Sequence, residues 1–291
     1  MIKKLLFVTR FEDLCFDAVQ SLLDLRRTGL EHIVFLNVID REKVALRRGT
    51  GYQKQEEIKL REMANIRFID WAETLFEQGM EVGVYIVVGS LVQQVVRAVE
   101  KEGDIDLVVI GHRKTGRLQR FLSGSDTSEI VHRTERPLLV YKYLVQEGLV
   151  PDRPFERPML ASGRLTPDQA PVHFLKELGA VCREISVIHV ASEKDLKETT
   201  AMGIQKTRKE TRAGLDAICD VFEADGVAAR PHVYIGETLP EIEKAARECN
   251  ASMIVTGSSG QGAWQQRWMA GVAVALAEQS AFPTLLIPSG R

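Results

Sequence analysis

Short apolar runs alternate along this chain with longer segments whose apolar residues recur every three or four positions, the signature of strands alternating with amphipathic helices. The first run, Lys4-Leu-Leu-Phe-Val-Thr9, predicts a strand; Phe11, Leu14, Cys15, Ala18, Val19, Leu22 and Leu23 predict a helix that Gly29 stops. His32 to Val38 is almost wholly apolar, as suits a parallel strand covered on both faces. From about Gln53 to Gln78 a long helix carries Ile58, Met63, Ile66, Phe68, Ile69, Ala72, Leu75 and Phe76, with Trp71 among them as packing and Gly79 at its end. A strand (Val84 to Gly89), a helix (Leu91 to Glu102), a strand ending on Gly111, a helix from about Ser125 to Arg133 and a strand (Leu138 to Tyr141) complete this half.

The order then repeats. Strand Pro158 to Ala161 precedes a helix that Thr166 caps and Pro167 opens. Strand Ile185 to Val190, a helix between about Asp195 and Ala224, strand Ala228 to Ile235 and helix Leu239 to Glu248 follow. The run Met253 to Thr256 ends at Gly257, the chain turns helical again at about Trp268, and Thr284 to Ile287 is the last strand. Gly111 and Gly257 lie 146 positions apart, and so do Pro137 and Pro283. A repeat at half the chain length means two similar domains and not a solenoid. The fold class expected is therefore α/β, two tandem doubly wound five-stranded parallel sheets, over residues 1–146 and 155–291. Val145 to Glu156, with Pro151, Asp152, Arg153 and Pro154, breaks all periodicity and reads as the linker. The Pro-led fifth strands are expected to bring the halves together about a pseudo-twofold axis, which would protect those edges, and a homodimer is a further option.

Composition narrows the class without naming a function. Charged residues make up 27% and hydrophobic ones 45% of 291 residues, with a net charge of −2, so no global pull toward nucleic acid or an anionic membrane exists. Met1-Ile-Lys-Lys-Leu-Leu-Phe-Val is too short an apolar stretch for a signal peptide and reads as strand, so the expectation is a cytoplasmic protein. Cys15, Cys182, Cys219 and Cys249 are scattered without metal-ligand spacing and read as buried thiols.

The candidate chemistry sits in two glycine loops. Ser252-Met-Ile-Val-Thr-Gly-Ser-Ser-Gly-Gln-Gly262 is a strand feeding a loop whose backbone amides can converge on an anion at the next helix start. Asp106-Leu-Val-Val-Ile-Gly-His-Arg-Lys-Thr-Gly116 is its copy in the first half. Arg47 and Arg48 read as a solvated loop face. His112 and His132 have no nucleophile or carboxylate at a triad spacing, and no Gly-x4-Gly-Lys-(Ser/Thr) loop is present.

Five strands per half, a glycine loop after the fourth and a Pro-led fifth strand resemble the universal stress protein family, in tandem over nearly the whole chain. The resemblance implies an adenine-nucleotide-binding, Rossmann-like fold, a Gly-x2-Gly-x9-Gly-(Ser/Thr) loop for ribose and phosphates, and an aspartate after strand one for adenine. In the first half Gly111, Gly124 and Ser125 fit that loop, but Lys114 replaces its second glycine and Arg10 stands at the aspartate position. That site reads as degenerate, or as a place for a different anion; Asp126 faces the helix start or caps it. In the second half Gly257, Ser258, Ser259 and Gly260 fit, while Ala270-Gly271 stands for the closing pair and Ala161-Ser162-Gly163-Arg164 lacks the acid. Trp264 and Trp268 lie in the spacer, for base stacking or for packing. By resemblance the ligand is ATP or AMP, in the second half if in either, with no metal beyond the Mg that accompanies a nucleotide and no catalytic residues. The implied function is a stress-response protein that binds nucleotide, protein partners or both. A nucleotide-independent scaffold and a weak ATP-hydrolysing or nucleotidyl-transfer enzyme remain as alternatives.

Overall fold

In a computed structural model the described residues are 1–9, 11, 16–44, 51–111, 124–142, 153–163, 165–191, 201–258 and 264–288, with the side chains at 124, 125, 128, 201–208, 258 and 264–270 left aside. The chain divides into two compact units, Ile2–Tyr141 and Lys142–Arg291.

The first unit contains β1 (Lys4–Thr9), α1 (Phe16–Leu22) continued by a 3₁₀ stretch (Leu23–Thr28), β2 (His32–Ile39), α2 (Arg41–Val44) and α3 (Lys54–Glu77). It goes on with β3 (Glu81–Val88), α4 (Leu91–Glu102), β4 (Leu107–Gly111), α5 (Gly124–Thr134) and β5 (Leu138–Tyr141). Its strands lie in the order β3-β2-β1-β4-β5, all pairings parallel, with Thr9 in register with Asn37. β1, β2 and β4 are buried throughout their apolar runs because helices cover both faces. Gly29 and Gly79 end their helical segments in left-handed backbone, at φ 106° and 76°, a conformation that favours glycine.

The second unit contains β6 (Pro158–Ala161), α6 (Ala170–Glu177), β7 (Glu184–Ala191), α7 (Ala201–Ala224) and β8 (Ala228–Ile235), followed by α8 (Thr238–Glu248), β9 (Met253–Ser258), α9 (Trp264–Gln279) and β10 (Thr284–Pro288). The order is β8-β7-β6-β9-β10, again parallel. Met159, Ile188, Ile242, Ala245, Ala246, Ile254 and Leu276 form one side of its core.

Three local expectations shift. α6 starts at Ala170, three residues beyond Pro167, because Pro171 occupies its first turn and the Gln169 side chain turns back to donate to Thr166 O at 2.8 Å. The end of the expected linker belongs to the second unit: Phe155 is fully buried and Ser252 Oγ donates to Pro154 O at 2.6 Å. Of the scattered thiols, Cys219 is buried, whereas Cys182 and Cys249 are half-buried; Cys15 lies outside the described residues. Trp71 does pack, within 6.4 Å of the Phe7, Phe11, Phe16, Phe35 and Phe68 ring centres.

Candidate functional site

In open α/β sheets ligands sit beyond the carboxyl ends of the strands, where the chain reverses its direction of winding. In each unit that switch point lies between the first and fourth strands, β1 and β4 or β6 and β9.

In the first unit this edge is occupied by side chains. Asn37 Nδ2 donates to Thr9 O at 2.9 Å, fixing the end of β1 to β2. Phe11 follows with φ 64°, its N–H bonded to Thr9 Oγ1 at 2.8 Å. A bulky residue holds that backbone only where packing compensates it. Here the Phe11 ring packs at 4.8 Å from Phe68 and 5.3 Å from Trp71, and the Arg67 guanidinium lies 5.0 Å over it. A cavity of about 140 Å³ remains beside it, lined by Asn37, Val38, Lys43, Leu60, Met63 and Arg67. Gly111 ends β4, and Gly124 and Ser125 open α5, with half-buried Asp126 in its first turn. A carboxylate there stabilises the helix start and opposes an anion at the same place. Arg10, Lys114 and His112 lie outside the described residues; His132 is exposed near the end of α5.

The second unit repeats the clamp with a different side chain. His189 Nδ1 lies 2.9 Å from Ser162 O, so that nitrogen carries the proton. By strand register Ser162 answers Thr9, and Gly163 therefore answers Arg10. The counterpart of Phe11 is then Arg164, which lies outside the described residues, and Leu165 after it packs against α7 at Gly214. β9 delivers Gly257 in extended backbone without positive φ, and a Cβ added there would meet Pro171 at an ordinary 3.4 Å. The conformational freedom of glycine is thus not needed at 257. Thr256 beside it is fully buried, and its Oγ1 has no hydrogen-bond partner among the described residues. Ser258 closes β9; Ser259 and Gly260 lie outside the described residues, as do the Trp264 and Trp268 side chains. α9 starts at Trp264 and not at about Trp268, so Gly271 is its eighth residue, exposed and with open space beside its Cα. Its amide lies inside the helix and not at its start.

Asn37 and His189 escaped the sequence reading. Their signal is a polar residue at the matching position, 152 residues apart, of otherwise apolar strands.

Two α/β units of one topology, each with its switch point beside a fourth strand that carries a glycine at or next to its end, define a tandem doubly wound protein of the nucleotide-binding type of architecture. The Universal stress protein family model matches residues 1–142 and again 167–288, and the chain belongs to that family. Universal stress protein MJ0577 of Methanocaldococcus jannaschii is 26% identical over 156 residues, which cover 49% of this chain and 96% of that one. A universal stress protein structure from Archaeoglobus fulgidus DSM 4304 superposes with a TM-score of 0.71 at 20% identity, covering 99% of this chain and 96% of the other. The cytoplasmic domain of a prokaryotic cation chloride cotransporter shares the fold at a TM-score of 0.55 and 13% identity, over 98% and 95% of the two chains. Among the described residues no helix is long and apolar enough to cross a membrane, and no group of His, Cys, Asp or Glu is arranged for a metal ion.

Proposed function

We propose that this is a cytoplasmic stress-response protein that works by binding an adenine nucleotide, protein partners or both, with any nucleotide in the second unit. The observation that supports this asymmetry is at the end of strand one: the Phe11 ring, locked among Phe68, Trp71 and Arg67, fills that place in the first unit, and Gly163 in the second stands where the first has Arg10. Gly257, Ser258, Ser259 and Gly260 are the proposed loop contacts for ATP or AMP, with Mg only as the nucleotide carries it. Gly111, Gly124 and Ser125 belong to a first site that Phe11, Asp126, Arg10 and Lys114 disfavour. Packing of the halves about a pseudo-twofold axis is part of the same proposal.

Titration with a fluorescent ATP analogue at fixed ionic strength tests it. Wild type should bind, Gly260→Lys should lose binding, and Lys114→Gly should change little while Phe11 stays. Losing one buried polar contact costs about 1–3 kcal/mol, roughly a factor of ten to a hundred in affinity. No nucleotide recovered from the denatured protein and no thermal shift at millimolar ATP would favour the scaffold reading.

A further inference from the structure

The two units treat their outer edges differently. In α3 only Ala64, Phe68, Trp71 and Leu75 are buried, whereas Ile58, Ile66, Ile69 and Phe76 are 46%, 69%, 58% and 58% exposed. Its counterpart α7 turns Lys209, Glu210, Arg212, Asp220 and Glu223 outward, and no large apolar side chain is exposed among its described ones. Three of these share a direction: at about 100° per residue, Ile58, Ile69 and Phe76 lie roughly 110–130° around the helix from the centre of the buried face, whereas Ile66 points away from that face and Met63, 49% exposed, lies on the other flank. Arg61, which lies between those two directions, donates to Ile86 O of β3. The exposed flank therefore faces the β3 side of the sheet.

β3 ends the strand order of its unit, and no described strand pairs with its outer side. Its sequence, Glu81-Val-Gly-Val-Tyr-Ile-Val-Val88, has one charge and no proline. β8, at the same place in the second unit, carries Arg230 and Pro231, residues that protect an edge from pairing. Tyr85 turns toward α4, bonded to Glu102 and capped by Lys101 at 4.2 Å, so Val84, 38% exposed, faces the α3 layer.

We propose that this edge, β3 with the flank of α3, docks a second copy of the chain about a twofold axis. Antiparallel β3 strands would satisfy each other's outward amides and carbonyls, and the α3 flanks would then run antiparallel beside them. Charge favours a second copy: of the exposed charges on this flank, Lys54 opens α3, Glu62 lies mid-helix and Glu73 lies near its end, so antiparallel helices bring Lys54 of each copy toward Glu73 of the other. A helix about 36 Å long and a contact some 12–15 Å deep bury roughly 1,000 Å² in total, the lower end of the range for a specific interface. The proposal is independent of nucleotide binding.

Sedimentation of the full chain over low to high micromolar concentration tests it, with Ile69→Lys and Val84→Lys as variants of exposed positions. Wild type should sediment as a dimer, and each variant as a monomer, its affinity weakened at least tenfold with circular dichroism and melting unchanged. A wild type that is monomeric at every concentration overturns the proposal, and so does a dimer that either variant leaves intact. Should a lysine variant melt early, Ile69→Ser and Val84→Thr replace it with the same expected loss.

Discussion

Asn37 holds the end of β1 in place by donating to the carbonyl of Thr9 at 2.9 Å, and His189 repeats the contact on Ser162 O at the same 2.9 Å. The two side chains differ, yet the job is the same. Parallel strands diverge where a ligand crevice opens, and there a side chain from the second strand holds the carbonyl that follows or ends the first. Both units therefore keep a fixed floor at the switch point, while the residue that follows that floor has diverged to Arg10 and Gly163.

Replacing Asn37 by Leu leaves the Thr9 carbonyl one donor short in a buried place. The expected cost is about 1–3 kcal/mol, read as a lower urea midpoint for the first unit's transition. Asn37→Asp should be at least as harmful, since a carboxylate cannot donate. Equal stability of Asn37→Leu and wild type would remove the clamp from the account.

Lys142 opens the second unit with a buried ammonium, which donates to Leu276 O at 2.9 Å and Ser280 O at 2.7 Å around the end of α9. A cation at a helix carboxyl end satisfies orphan carbonyls and the helix dipole together. Lys142→Met should cost several kcal/mol at about 1.5–3 kcal/mol for each charged bond, measured by calorimetry. Lys142→Arg should not restore it, because a planar fork does not fit a site shaped for a point charge.

The strands were legible because each is a short apolar run, four of them running into glycine at Gly89, Gly111, Gly236 and Gly257. The extra apolar side of α3 was visible as residues but not as exposure, since periodicity reports which positions are apolar and not what covers them. Pro167 drew the start of α6 too early because Pro171, equally good as a helix opener, lay four residues on. The match of Ala270-Gly271 to a loop motif depended on spacing alone, and an earlier helix start moved it into α9. Asn37, His189 and Lys142 work through backbone carbonyls, which have no sequence signature of their own.

Burial lowers the pKa of His32, assisted by Lys4 and opposed by Glu81, Glu102 and Asp104. His232 is lowered for the same first reason, with Arg212 and Arg230 assisting against Glu184 and Glu248. A folded value below the unfolded 6.5 means the native state binds fewer protons, so stability is full above that value and declines as pH falls below it. Both ring resonances should titrate below pH 6.5 by NMR, and His32→Gln with His232→Gln should flatten the fall in melting temperature as pH drops below 6.5. A midpoint above 6.5 for either ring would contradict the burial argument.

Two glycines on the helices of the second unit should respond in opposite ways to the same substitution. At Gly214 an added Cβ would lie 2.5 Å from Leu165 Cβ and 2.7 Å from Leu165 O, and that backbone oxygen cannot yield without moving the chain after β6. At Gly271 nothing lies within 4 Å. Alanine is favoured over glycine inside a helix by about 1 kcal/mol. Gly271→Ala should therefore raise stability by roughly 0.5–1 kcal/mol, and Gly214→Ala should lower it by more than that gain, because the overlap outweighs propensity. Chemical unfolding of both variants gives the signs directly. The nucleotide titration adds the functional half. With Gly271 eight residues into α9, its alanine variant should bind ATP within about a factor of two of wild type, a difference under ~0.5 kcal/mol. Loss of binding in the stabilised Gly271→Ala protein would mean that the ligand lies along α9 and touches its eighth residue, and the site would extend beyond the Gly257–Gly260 loop.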